Sequence, residues 1–173
     1  MWENDAPQGA VKIGALPSGL IEPLQYANYE AAFWRIAASP GPSLDASLSD
    51  PHLAVYIEDW GRSGDAAVVA RDATGAIGGA AWFRFFTEAR HGYGFINDTT
   101  PEVSIGVQQL WRGLGVGTRL LEALHADARA SAIPRLSLGV EHGNPALRLY
   151  QRLGYAELTR DTGAVTMVIE LEH

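Results

Sequence analysis

Residues 102–130 read EVSIGVQQLWRGLGVGTRLLEALHADARA, and this stretch decides the fold. Glu102 to Val107 alternates polar or small residues with Val103, Ile105 and Val107, the period-2 pattern of a strand with one buried face. Val116, Leu120, Leu124 and Ala128 follow at helical spacing. Between them lies Arg112-Gly113-Leu114-Gly115-Val116-Gly117. Strand, glycine-rich turn and helix together form an anion site, because the first N–H groups of a helix lack partners and its dipole is positive there. Glycines at 113, 115 and 117 keep Cβ atoms away from such a ligand, and Arg112 adds a cation.

The segment fails two familiar phosphate motifs. A P-loop needs Gly-Lys-Ser/Thr after four intervening residues, but Gly117 is followed by Thr118-Arg119. A dinucleotide fingerprint needs Gly-x-Gly-x-x-Gly near the start of a two-part domain; the spacing here is Gly-x-Gly-x-Gly, with too little chain after it. Taken alone, the loop is better read as a turn that packs a helix close to a strand.

Working outward, Leu136 to Val140 forms a second apolar strand, so residues 102–140 make a strand–helix–strand unit with two parallel strands. The rest is antiparallel in pattern. Ala66–Asp72 and Ala76–Phe86 flank the turn Asp72-Ala73-Thr74-Gly75, and 155–160 with 164–170 flank Asp161-Thr162-Gly163. Residues 10–15 suggest a first strand. Tyr26, Tyr29, Phe33 and Ile36 recur at helical spacing within 21–38, and 39–49 is a loop rich in proline and serine. Asp50-Pro51 has the N-cap–proline form, with Leu53, Tyr56, Ile57 and Trp60 on one helical face and Gly61 at its end, while Leu53 to Ile57 also fits a strand. Pro145 to Leu153 forms a last short helix. The fold class expected is α+β, one domain over 1–170; Leu171-Glu172-His173 is read as an expression-tag remnant.

The chain has 173 residues, 47% of them apolar, and a net charge of −7. That charge argues against nucleic acid as a partner, since phosphate binding needs surplus Lys and Arg. No apolar run reaches the ~20 residues of a membrane helix. With no cysteine, disulfides, thiolate metal sites and cysteine nucleophiles are excluded. The acidic N-terminus differs from a secretory signal, and a cytoplasmic location is expected.

Arg-x-x-Gly-x-Gly after an alternating strand resembles the acetyl-CoA motif of the GNAT N-acetyltransferases. A second motif of that family, a strand, an Asn, then Ala-x-x-x-Tyr-x-x-x-Gly-Phe/Tyr, corresponds to Leu136–Val140, Asn144, Ala146, Tyr150, Gly154 and Tyr155. The resemblance covers about residues 76 to 170. It implies a mixed, mostly antiparallel central sheet whose one parallel pair splays apart to admit acetyl-CoA. It further implies that the backbones of Ile105 and Val107 pair with the pantetheine arm, and that Arg112, Gly113, Leu114, Gly115, Val116, Gly117 and Thr118 hold the pyrophosphate. Asn144 contacts the arm or caps the last helix. Val107 N–H is the implied oxyanion donor and Tyr150 the implied acid for the departing thiolate, with a core aromatic as the alternative role.

Glu102 resembles the strand carboxylate that serves as base in some relatives; the other reading is a surface glutamate after Pro101. Glu141, His142 and His91 are further candidates. Tyr26, Tyr29, Phe33, Trp82, Phe85, Phe86, Tyr93 and Phe95 are candidates to line an acceptor pocket. The function implied is transfer of an acetyl group to a primary amine of a small molecule or peptide, with no metal and with a homodimer allowed. A non-catalytic acyl-CoA-binding module is the alternative, and a domain without cofactor requires a sterically blocked loop.

Overall fold

A computed structural model describes residues 11–13, 19–23 and 49–172. Its frame is an eight-stranded sheet: β1 (Val11–Ile13), β2 (Gly19–Pro23), β3 (Ala66–Arg71), β4 (Ile77–Arg84), β5 (Glu102–Val107), β6 (Arg135–Glu141), β7 (Ala156–Arg160) and β8 (Ala164–Glu170). The strand order is β1-β2-β3-β4-β5-β6-β8-β7. All neighbours are antiparallel except β5 and β6. Among the described residues the α-helices are the single turn α1 (Pro51–Ala54), α2 (Val116–Ala130) and α3 (Leu147–Arg152), with a 3-10 turn at Gln109–Trp111.

The period-2 pattern sorts side chains onto two faces. Val68, Ala70, Ala81, Phe83 and Val103 join Leu136 and Leu138 under Leu120, Leu121 and Leu124 of α2. On the opposite face Ala67, Val69, Ala80 and Trp82 pack against Ile57, with Tyr56 and Trp60 at the margin. Because β4 has neighbours on both faces, every residue from Gly78 to Arg84 is buried.

The parallel pair meets at one register position, Glu102 opposite Ser137, with Ser137 N–H donating to Pro101 O at 3.0 Å. Beyond that point the two strands part, which is the splay the sequence implied. Pro101 O faces β6, and strand alternation therefore turns the N–H and C=O groups of Val103, Ile105 and Val107 the same way. Past the register position those of Ile105 and Val107 face the gap.

Several local expectations need correction. Gly19–Pro23 is strand β2, so the helix expected from Ile21 does not begin there; Tyr26, Tyr29, Phe33 and Ile36 lie outside the described residues. The helix expected up to Gly61 is α1 alone, followed by irregular turns. Asp50 does cap it, its Oδ1 accepting from His52 N–H at 2.9 Å. Asp59 then takes φ +50 and Gly61 φ +102, conformations that end helical winding. Residue Ala146, not Asn144, is the N-cap of α3. Leu171, set aside with the last two residues in the sequence reading, is buried, and its N–H donates to Pro134 O at 2.7 Å.

Candidate active site

A cavity of about 1200 Å³ opens where β5 and β6 diverge. At one end stands the glycine loop. Gly113 and Gly115 have φ of +74 and +78, where a Cβ is strained, and nothing lies within 4 Å of the space a Cβ would fill. The loop is therefore not sterically blocked. Gly117 differs: its φ is ordinary, and a Cβ there would come 3.2 Å from Leu149 Cδ2, so this glycine lets α2 approach α3. Among the described residues, no acceptor pairs with the N–H groups of residues 113 to 118. Six consecutive donors at the start of a 15-residue helix suit an anion with several oxygens. Arg112 lines the same cavity, and its Nε donates to Val107 O at 2.9 Å, tying the loop to the end of β5.

Ile105, Val107, Val116, Gly117 and Thr118 all line the cavity, as do Gly113 and Gly115. Leu114 does not; it is 40% exposed. Asn144 also lines it, and its Oδ1 accepts from Ala146 N–H at 2.9 Å, forming the turn that leads into α3. The side-chain oxygen of Asn144 thus serves the backbone.

Tyr150 reaches the cavity from α3 while remaining 7% exposed. The helix ends in a Schellman motif: Tyr155 N–H donates to Tyr150 O at 3.0 Å and Gly154 N–H to Gln151 O at 3.1 Å. Gly154, at φ +96, takes the left-handed position this motif requires. The Tyr155 ring then packs edge-on against Tyr150, centroids 5.8 Å apart, and its hydroxyl bonds His125 Nε2 of α2 at 2.9 Å. Tyr150 is thereby held from its backbone and its ring. Burial pushes its hydroxyl up to about 12, so it is protonated and able to donate at neutral pH.

Glu102 is 2% exposed, which overturns the surface reading. Its Oε1 accepts from Tyr56 OH and from Gly94 N–H, each at 2.8 Å, while Oε2 is buried without a partner. Burial pushes this carboxyl up to about 6, against the opposing pull of the Gly94 and Tyr56 hydrogen bonds and the nearby His91. A base poised near 6 is ionised at neutral pH and accepts a proton more readily than an ordinary carboxylate. Glu102 itself does not line the cavity, but its hydrogen-bond partner Tyr56 does.

The other base candidates fare less well. His142 lines the cavity, but Nε2 must donate to Asp161 O at 2.8 Å, leaving Nδ1 to accept from Arg160 at 3.2 Å. Both nitrogens are engaged. His91 stacks on Phe95 at 4.5 Å and bonds Gly92 O outside the cavity lining. Glu141 lines the cavity and is exposed. Of the aromatics expected around an acceptor, Trp82 lines the cavity, Phe86 packs behind Tyr56, and Tyr93 is 64% exposed.

The sequence reading placed Tyr56 only on a helix face. Its signal lay in the third dimension, since Tyr56 and Glu102 are 46 residues apart. Arg84, fully buried, was also missed. It pairs with Asp65 at 2.9 Å and donates to Val55 O and Glu58 O at 2.8 and 2.9 Å. Trp82 Nε1 adds a bond to Tyr56 O at 3.2 Å. An arginine in an apolar strand is the one trace of this clamp in the sequence.

A splayed parallel pair beside an open glycine loop defines the acyl-CoA N-acyltransferase class of fold. The profile of the Acetyltransferase (GNAT) family matches residues 29–155, and the chain belongs to that family. It is 37% identical over 101 residues to an L-methionine sulfoximine/L-methionine sulfone acetyltransferase of Pseudomonas aeruginosa, covering 58% of this chain and 56% of that protein. The chain spans about half the length of the curated relatives it matches. Among solved structures, the GNAT domain of S. lividans PAT superposes with a TM-score of 0.69 at 18% identity, covering 94% of this chain and 96% of that one. The yncA protein of Salmonella typhimurium, solved with its cofactor acetyl-CoA, gives 0.66 at 22% identity, covering 90% and 95%.

Proposed function

We propose that this protein transfers the acetyl group of acetyl-CoA to a primary amine of a small molecule or peptide. The observation that carries the reading is one cavity joining the unpaired N–H groups of 113–118, the free edge of β5 and the hydroxyl-bearing ring of Tyr150. These parts fit the cofactor. The loop amides and Arg112 suit a pyrophosphate, and the N–H and C=O groups of Ile105 and Val107 suit an amide-bearing arm adding to a strand edge. Leu114 belongs to this loop through its backbone N–H. The Asn144 turn sets the adjacent wall. Bound acetyl-CoA supplies an acetyl group already activated as a thioester.

The chain's residues supply the rest. Glu102, beside the cavity rather than in its lining, takes up through a bridging water the proton that the amine must lose. Val107 N–H, facing the gap, is a donor for charge developing on a carbonyl oxygen. Tyr150, protonated and desolvated, gives a proton to the leaving sulfur. The acceptor belongs with the amino acid analogues named for the relatives, and a cytoplasmic location and a homodimer complete the proposal.

Tyr150→Phe is expected to lower kcat on the order of tenfold or more while leaving acetyl-CoA affinity near that of the parent. Steady-state kinetics beside calorimetric titration of acetyl-CoA checks this. Unchanged kcat would remove Tyr150 from the acid role.

A further inference from the structure

The bonds around Glu102 set a question that the proposed chemistry leaves open: what holds a buried carboxylate in one orientation beside the cavity. Two segments converge on its Oε1, linked by a third bond. Tyr56 OH donates from the turn after α1, Gly94 N–H donates from the loop before β5, and Tyr93 N–H donates at 2.7 Å to the Tyr56 oxygen. Donor and one acceptor position of the tyrosine hydroxyl are thus both used.

Tyr56 is itself fixed. Its carbonyl takes the Trp82 indole N–H, and the carbonyls of Val55 and Glu58 on either side take Arg84. Its ring meets Phe86 edge-on at 5.7 Å. Gly92 leaves the room required, since a Cβ there would stand 2.3 Å from Tyr56 Oη and 2.6 Å from Glu102 Oε2. Loop backbone also closes on β6, where a Cβ on Gly94 would fall 2.3 Å from Gly139 N.

We propose that Tyr56 is a positioning residue for Glu102: its hydroxyl fixes Oε1, couples the carboxylate to the Tyr93–Gly94 backbone, and leaves Oε2 as the proton-accepting oxygen. The inference rests on Glu102 acting as the base. The groups facing this carboxylate are Tyr56, His91 and the Gly94 N–H, together with Arg84 across β4, whose charge is met by Asp65, and Ser137 of β6, whose Oγ is buried without a partner. Tyr56 is the hydroxyl donor among them whose bond favours the ionised form.

The test is the pH dependence of kcat/KM for the whole protein with acetyl-CoA and a reactive amine. Tyr56→Phe keeps the ring and removes the hydroxyl. The acidic limb is expected to move up by about half a pH unit or more, with kcat falling about tenfold and acetyl-CoA affinity held within about twofold. A fluorinated tyrosine at position 56, a stronger donor, is expected to move the limb the other way. A structural role in packing moves neither limb. Limbs that stay in place in both variants, while Glu102→Gln loses its limb, would overturn the role of Tyr56 and leave the base assignment standing. A limb retained in Glu102→Gln would remove the base and the positioning role together.

Discussion

Gly115 sits at φ +78 with open space around it, at the point where the chain turns from the end of β5 into α2. Its side chain is absent because the backbone demands it, not because a neighbour crowds it. Gly115→Ala is therefore expected to cost about 1 kcal/mol in stability. It is also expected to weaken acetyl-CoA binding by about tenfold or more, because relaxing φ swings the 113–118 amides out of convergence. Thermal melts and calorimetry on the variant check both effects; unchanged affinity would separate the loop from the anion. Spacing in the sequence was enough to locate this glycine, because each residue of such a loop contributes through its own backbone. Glu102 was only half legible. Its position was readable, but its burial depends on Tyr56, Gly92 and Gly94, which no local pattern connects to it.

At the scale of elements, α2 is joined to the segment just after α3 by the bond between His125 and Tyr155, and this joint is pH-sensitive. Burial, reinforced by Arg129, pulls His125 down to about 4 from the ordinary 6.5. The unfolded chain therefore binds a proton that the native state refuses, and stability is present above about pH 6.5 and lost as pH falls toward 4. The full loss is on the order of 3 kcal/mol. Glu102 acts in the opposite sense, being raised to about 6: its contribution is present at low pH and lost as pH rises through 4.5 to 6. Urea unfolding at pH 7 and at pH 5 is expected to show a net loss at the lower pH, and His125→Gln, which keeps a bonding partner without titrating there, is expected to reduce it. An equal loss in both proteins would contradict the assignment. Helix α2 was legible from its apolar period, whereas the early stop of α1 was not. There the left-handed Asp59 and the carbonyls drawn to buried Arg84 override a good helical pattern.

Across the whole molecule the order of strands follows from two kinds of signal. Hairpin turns at 72–75 and 161–163 joined their flanking strands unaided, and the β5–α2–β6 unit required the parallel pair. The splay of that pair was legible through family resemblance alone, since nothing in a strand's composition says where its neighbour departs. The structure shows where it parts: one register position at Glu102 and Ser137, with Tyr93 and Gly94 packed against Gly139. The glycine loop, the β5 edge and Tyr150, proposed to act together at one gap, lead to the central claim, that this chain moves an acetyl group from acetyl-CoA to an amine. Thiol release from acetyl-CoA, measured against a panel of amines that includes methionine sulfoximine and phosphinothricin, tests it most directly. The account predicts saturable, amine-dependent release with at least one amine in the panel. Saturable acetyl-CoA binding without release for any of them would mark a binding module, and no binding at all would contradict the account outright.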